Sequence, residues 1–72
     1  IAPWNFPVNL VIGPLAGAFA AGNRAMVKLS EFTPVTGAVF EEVAPRFFAT
    51  DELAFVSGGP EVGRAFAELP FD

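Results

Sequence analysis

Ala25-Met26-Val27-Lys28-Leu29-Ser30-Glu31-Phe32-Thr33-Pro34 is the stretch on which the reading of the fold turns. Its first five residues form a short apolar run, entered from Asn23-Arg24 and left through Ser30, as a buried strand should be. Lys28 lies at the carboxyl end of that run. Three residues after Ser30, Thr33 is a good helix N-cap and Pro34 suits the first helical position. Val35, Val39, Val43 and Phe47 then recur at i+4 steps with Phe40 alongside, while Glu41 and Glu42 fall on the polar side, which predicts an amphipathic helix. Pro45 is expected to kink or end its last turn. One strand passes directly into one helix, so the chain reads as an α/β unit.

The same alternation extends in both directions. Thr50-Asp51-Glu52 is a polar connector, and Ala54-Phe55-Val56 is a second short strand, halted by Ser57-Gly58-Gly59-Pro60. A third helix begins at Pro60, with Val62, Ala65, Phe66 and Leu69 on one face and Glu61 in the first turn, where a carboxylate favours the helix dipole. Upstream, residues 8–22 are rich in Ala and Leu and long enough for about four helical turns. Pro7 suits the first turn of that helix, Gly22 suits a left-handed cap after the last, and Pro14 predicts a kink. Gly13, Gly17 and Gly22 predict close approach of another element. The first seven residues, Ile1-Ala2-Pro3-Trp4-Asn5-Phe6-Pro7, hold two prolines that fix their own φ and push Ala2 and Phe6 towards extended conformations. The order is therefore extended segment, helix, strand, helix, strand, helix, which implies parallel pairing through crossovers.

Composition narrows the functional classes. Seventy-two residues make at most one small domain, and the absence of Cys and His removes disulfides and the usual zinc ligands as supports. Hydrophobic residues make up 53% of the chain, with nine Phe, and only 17% are charged. A free-standing domain of this size would struggle to cover so much apolar surface, so the chain reads as part of a larger protein. Arg24, Lys28, Arg46 and Arg64 are scattered within a net charge of −4, which argues against a nucleic-acid surface. The apolar stretch 6–21 carries Asn9 and Pro14 and falls short of the roughly 20 residues of a membrane span. No basic residue precedes it, as a secretion signal would require. The lack of Cys accords with a reducing compartment, and a cytoplasmic location is expected.

In a parallel sheet, ligands bind beyond the carboxyl ends of the strands. Trp4-Asn5, Lys28-Leu29-Ser30-Glu31 and Gly58-Gly59-Pro60 all fall there. Asn5, on stiff backbone between two aromatics, can be a satisfied structural amide or a donor to a reacting oxygen. Lys28 and Glu31 can straddle a ribose, the amine on one hydroxyl and the carboxylate on another; the alternative is a solvated loop with an incidental ion pair. Gly58-Gly59-Pro60-Glu61-Val62-Gly63 opens a helix but matches neither G-x-G-x-x-G nor a Walker A loop, and is a weak phosphate signal by itself.

Three blocks, Pro3-Trp4-Asn5-Phe6-Pro7, Ala20-Ala21-Gly22-Asn23 and Lys28-Leu29-Ser30-Glu31-Phe32-Thr33-Pro34, resemble in order and spacing the aldehyde dehydrogenase superfamily. The resemblance covers essentially the whole chain but a minor part of a family member. The Asn-Phe-Pro-Val-Asn-Leu run and Gly-Gly-Pro-Glu-Val-Gly look most like its class 3 and coniferyl aldehyde dehydrogenase branch. It implies a fragment of a Rossmann-like three-layer αβα coenzyme-binding domain with parallel strands, spanning 1–72. It implies NAD(P)-dependent oxidation of an aldehyde to an acid through a cysteine thiohemiacetal, with Asn5 donating its amide to the oxyanion. Lys28 and Glu31, with Ser30 between them, match the residues at the adenosine ribose. Gly59, Pro60 and Gly63 match the wall of the adenine site, and Pro3 and Trp4 match the segment passing cofactor and substrate.

The sequence departs from the family's common Lys-Pro-Ser-Glu at Leu29, which restores a backbone N–H and frees φ. The family's catalytic cysteine and general-base glutamate have no counterpart here, so the remainder of a parent enzyme, itself a homo-oligomer, is an implied partner, as is the aldehyde. Glu31 disfavours a 2′-phosphate by charge, which points to NAD over NADP, although NADP could be accommodated by Lys28. A non-catalytic α/β interaction module, or a membrane-associated helical piece centred on residues 6–21, are the alternatives from other classes.

Overall fold

Residues 1–72 are described by a computed structural model. The chain forms helix α1 (Asn9–Ala20), strand β1 (Ala25–Lys28), helix α2 (Pro34–Val43) with a 3-10 turn at Ala44–Arg46, strand β2 (Leu53–Val56) and helix α3 (Pro60–Ala67). The two strands pair in parallel, with Ala25 opposite Leu53 and Lys28 opposite Val56. The alternating α/β order read from the sequence is the observed one.

Strand periodicity divides the molecule into layers. Ala25, Val27 and Leu29 face the same way as Leu53 and Phe55, and against them pack Val11, Leu15 and Phe19 of α1 with Phe40 and Ala44 from the α2 side. Leu29 and Leu53 are almost fully buried there, each contributing about 1.5–3 kcal/mol of hydrophobic stabilisation. Phe40 stacks on Phe55 at 5.1 Å and Phe19 on Phe48 at 5.4 Å, tying both helices to the same face. On the opposite face Lys28 meets α3, where a Cβ placed on Gly63 would lie 4.0 Å from the lysine Cε. Helices thus cover both faces of a parallel pair, the arrangement of a Rossmann-like α/β layer structure.

Helix α1 ends as its sequence predicts. Gly22 is left-handed at φ +80, its N–H donates to the Phe19 carbonyl, and the Asn23 N–H donates to the Ala18 carbonyl (both 2.9 Å). These two bonds make a Schellman cap, which satisfies carbonyls the helix itself leaves open. The start of α1 differs from the expected one. Pro7 lies in the turn before the helix, Val8 is the N-cap, and α1 remains continuous through Pro14. Phe6, expected to be extended because proline follows it, instead adopts φ +52. Its carbonyl accepts from the Leu10 N–H at 3.1 Å, and the left-handed conformation costs about 1–2 kcal/mol of backbone energy for an L-residue.

Two further expectations are corrected by the packing. The Val35, Val39, Val43, Phe47 stripe of α2 is exposed, Val35 and Phe47 by three quarters or more. The face turned to the sheet is instead Gly37, Phe40 and Ala44; at Gly37 the helix comes close enough that a Cβ would stand in van der Waals contact with Leu29 Cδ1 and Ser57 Oγ, each at 3.5 Å. A Cβ added to Gly13 or Gly17 would meet nothing within 4 Å, so the close approach expected there is not made by any element of this chain. Thr33 does occupy the N-cap of α2 with Pro34 at the first position, but its side chain caps nothing. Pro45 ends α2 in the 3-10 turn, as expected.

Only nine residues are buried, and the accessible surface is 5017 Å², against about 4,300 Å² for a compact monomer of this size. No helix is long and apolar enough to cross a membrane. At the β2–α3 turn, Gly58 has φ +150, and a Cβ there would overlap the Val62 side chain. Gly58→Ala is expected to destabilise the protein by more than about 1 kcal/mol, read as a lowered thermal midpoint. Combining it with Val62→Ala should recover part of the loss, because the overlap and not only φ contributes.

Candidate functional site

The parallel register brings the carboxyl ends of β1 and β2 to one edge. The ladder runs one step past the strands, since the Leu29 N–H donates to the Val56 carbonyl at 2.8 Å. A proline at position 29 could not make this bond. From that edge β1 continues as Ser30-Glu31, and β2 as Ser57-Gly58-Gly59 into the N-terminus of α3. Residues far apart in sequence therefore leave the sheet together.

Lys28 is the one charged side chain buried in the chain, 3% exposed, and its Nζ lies 3.1 Å from Glu31 Oε2. Alternation along β1 sends it to the face opposite the core, where its stem runs against Gly63 of α3. Its ammonium has three donors and one protein acceptor, leaving donors for a further oxygen. Glu31 is partly exposed, with one oxygen engaged and the carboxylate open to solvent on its other side. Between them Ser30 Oγ accepts from the Phe32 N–H at 3.2 Å and so shapes the loop that carries Glu31. Three of the residues expected at a ribose are thus adjacent in space, and Gly63 joins them from α3.

Gly59 is the N-cap of α3 and Pro60 its first residue. The Glu61 carboxylate folds back over Gly59, with Oε2 only 2.8 Å from the place a Cβ would take. Any side chain at 59 would have to displace it.

The N-terminal segment reaches the same edge by a route that sequence inspection missed. The Ala2 N–H donates to the Lys28 carbonyl at 2.9 Å, and Ala2 is buried in the core cluster. Neighbouring residues of a strand point their hydrogen-bonding groups to opposite sides, so Ala2 sits on the edge of β1 away from β2. Nothing about a lone alanine in the sequence signals this; the pairing exists only once β1 is placed. Pro3 and Trp4 follow directly, Trp4 largely exposed, and Asn5 is exposed with its amide free of any hydrogen bond. No hydrogen bond joins Asn5 to Lys28 or Glu31. The N-terminal pair, Trp4-Asn5, is tied to the strand end that carries Lys28 through the backbone bond of Ala2.

The sequence profile of the Aldehyde dehydrogenase family matches residues 1–70. The chain belongs to that family. A probable coniferyl aldehyde dehydrogenase of Caulobacter vibrioides is 58% identical over all 72 residues, and a coniferyl aldehyde dehydrogenase of Pseudomonas sp. is 57% identical over the same span. Aldehyde dehydrogenase family 3 member B2 of mouse is 47% identical, again over the whole chain. Identities of this order with both groups place the chain in the class 3 and coniferyl branch. The chain spans only 15% of the length of each of these relatives.

The Glu31 carboxyl is held below its ordinary value of 4.5, first by its own backbone N–H and next by the hydrogen bond from Lys28, with desolvation opposing both. A carboxyl whose folded pKa is depressed stabilises the fold above its unfolded value, and that stabilisation fades as pH falls through the folded value. The ion pair should therefore survive acidification through pH 4.5 and open below it. A carbon-detected NMR titration of the Glu31 carboxyl is expected to show a midpoint under 4.5, moving upward in Lys28→Met. A midpoint that does not move in Lys28→Met would mean the pair does not form in solution.

Proposed function

We propose that residues 1–72 form part of the NAD(P)-binding domain of an enzyme that oxidises an aldehyde to a carboxylic acid. The observation that carries this reading is the buried Lys28 paired with Glu31 at the carboxyl end of a parallel strand. A buried ammonium with spare donors beside a partly exposed carboxylate suits a vicinal diol, since the two hydroxyls can accept from one group and donate to the other. The adenosine ribose of NAD presents such a diol. Ser30 would hold the loop, and Gly59, Pro60 and Gly63 would form the wall against which the adenine lies. The dinucleotide, when bound, accepts the hydride removed from the substrate carbon; the residues of this chain bind and orient it.

The charge of Glu31 favours NAD, because a 2′-phosphate would be brought against a carboxylate. Lys28 offsets that repulsion in part, so NADP is disfavoured and not excluded. In the intact enzyme Glu31→Gln is expected to raise KM for NAD by about tenfold while changing KM for NADP by less than about threefold. Equal changes for both coenzymes would remove the ribose role.

For Asn5 the reading is that its free side-chain amide donates to the oxygen of the aldehyde as that oxygen takes up negative charge. One such donor is typically worth about 3–4 kcal/mol in the transition state. Trp4 and Pro3 flank it and would line the passage shared by substrate and coenzyme. The attacking thiolate and the general base come from parts of the enzyme outside these 72 residues, which contain no Cys. The exposed apolar faces of α1 and α2 are consistent with such a setting, since further polypeptide would cover them. The enzyme is proposed to be cytoplasmic and homo-oligomeric, and the names of the bacterial relatives suggest an aromatic aldehyde of the coniferyl type as substrate. Asn5→Ala in the intact enzyme is expected to lower kcat by about a hundredfold or more with KM for NAD nearly unchanged. Turnover equal to that of the unsubstituted enzyme would leave Asn5 a structural residue.

A further inference from the structure

We infer that the left-handed backbone at Phe6 is what aims the Asn5 side chain, which makes Phe6 a positioning residue. The inference rests on the oxyanion role proposed above for Asn5. Phe6 is the only residue other than glycine with a positive φ. A bulky aromatic is a poor occupant of that region, and a following proline further narrows its choices. Its ring offers no compensation within this chain, being 67% exposed. Something other than local preference therefore sets the conformation.

The setting comes from two anchors. At one end, Ala2 is buried and its N–H is bonded to the Lys28 carbonyl at the tip of β1. At the other, the Phe6 carbonyl accepts from the Leu10 N–H in the first turn of α1. The span between them contains Pro3 and is followed by Pro7, and each proline has its φ locked. The torsions of Phe6 are then the principal soft link between the peptide of Asn5 and the rigid helix. Turning φ of Phe6 back to an extended value would swing Asn5 relative to α1, while the Phe6 carbonyl, which belongs to the peptide leading into the helix, keeps its bond to Leu10. The Asn5 amide has no hydrogen bond of its own to resist such a swing. Within this chain the backbone alone sets where the Asn5 side chain leaves the main chain, and that placement is the part of a preorganised donor that Phe6 controls.

The test compares Phe6→Gly, Phe6→Ile, Asn5→Ala and the double variant Asn5→Ala/Phe6→Ile in the intact enzyme, each by kcat and by KM for NAD. Glycine adopts positive φ freely, whereas a β-branched residue opposes it. Phe6→Gly is expected to retain kcat within about threefold despite loss of the ring, and Phe6→Ile to lose about tenfold or more, with KM for NAD unchanged in both. The double variant is expected to turn over within about twofold of Asn5→Ala, since Phe6 acts through Asn5.

A glycine variant as slow as the isoleucine one would overturn the inference, because the ring and not the backbone would then matter. Multiplying losses in the double variant would overturn it too. Should Phe6→Ile not fold, Phe6→Ala replaces it: alanine, like glycine, lacks the ring, but it restores the Cβ. It is expected to be about threefold or more slower than glycine, and equal rates would be decisive against the backbone role. If Asn5→Ala turns over normally, the oxyanion reading and this inference fall together. If Asn5→Ala is slow while Phe6→Ile is fast, only the positioning role falls.

Discussion

Parallel pairing of β1 with β2 is the constraint on which the rest depends. Each strand is four residues long, too short to hold together by hydrogen bonds alone. The pairing survives because Leu29 and Leu53, at opposite ends of the two strands, are buried in one cluster with α1 and the end of α2. A slip of one residue would turn Val27, Leu29, Leu53 or Phe55 to the wrong face, so the register is strongly specified. That register also decides the chemistry. It brings Lys28 level with Val56 and lets the loops after both strands open at the same edge.

Lys28 shows how the same layer arrangement admits a charge. Its neighbours Val27 and Leu29 point to the core, and alternation sends Lys28 to the α3 side. The close approach of Gly63 encloses its methylene stem, while Glu31, three residues on, meets the ammonium. Taking an ammonium out of water is costly unless it is paired and hydrogen-bonded. The single ion pair meets part of that requirement, and the remaining donors are what make the position suited to a hydroxyl-bearing ligand.

The N-terminal segment depends on β1 in another way. Ala2 completes the carbonyl side of Lys28, and the left-handed turn at Phe6 returns the chain into α1. The backbone strain at Phe6 is balanced by these tertiary attachments, not by its own packing. Strain held by surrounding structure next to an unbonded polar side chain is a common mark of functional geometry.

Much of this is legible in the residues alone. The short apolar runs, Thr33-Pro34, Gly22 and Gly58-Gly59-Pro60 determine the order of elements by local rules, because proline, glycine and hydrophobic spacing act within a few residues. The motifs around Asn5 and Lys28 likewise determine the family, since they are matched in sequence without reference to the fold. Tertiary structure alone decided three things. It chose Gly37, Phe40 and Ala44 over the valine stripe as the inner face of α2, because the packing of Phe40 on Phe55 and the close approach of Gly37 to Leu29 are contacts between elements distant in sequence. It left Gly13 and Gly17 uncovered, a matter of which elements lie nearby. And it turned Phe6 against its local preference, because the bonds from Ala2 to Lys28 and from Leu10 to Phe6 fix both ends of the segment and outweigh one residue's torsional bias.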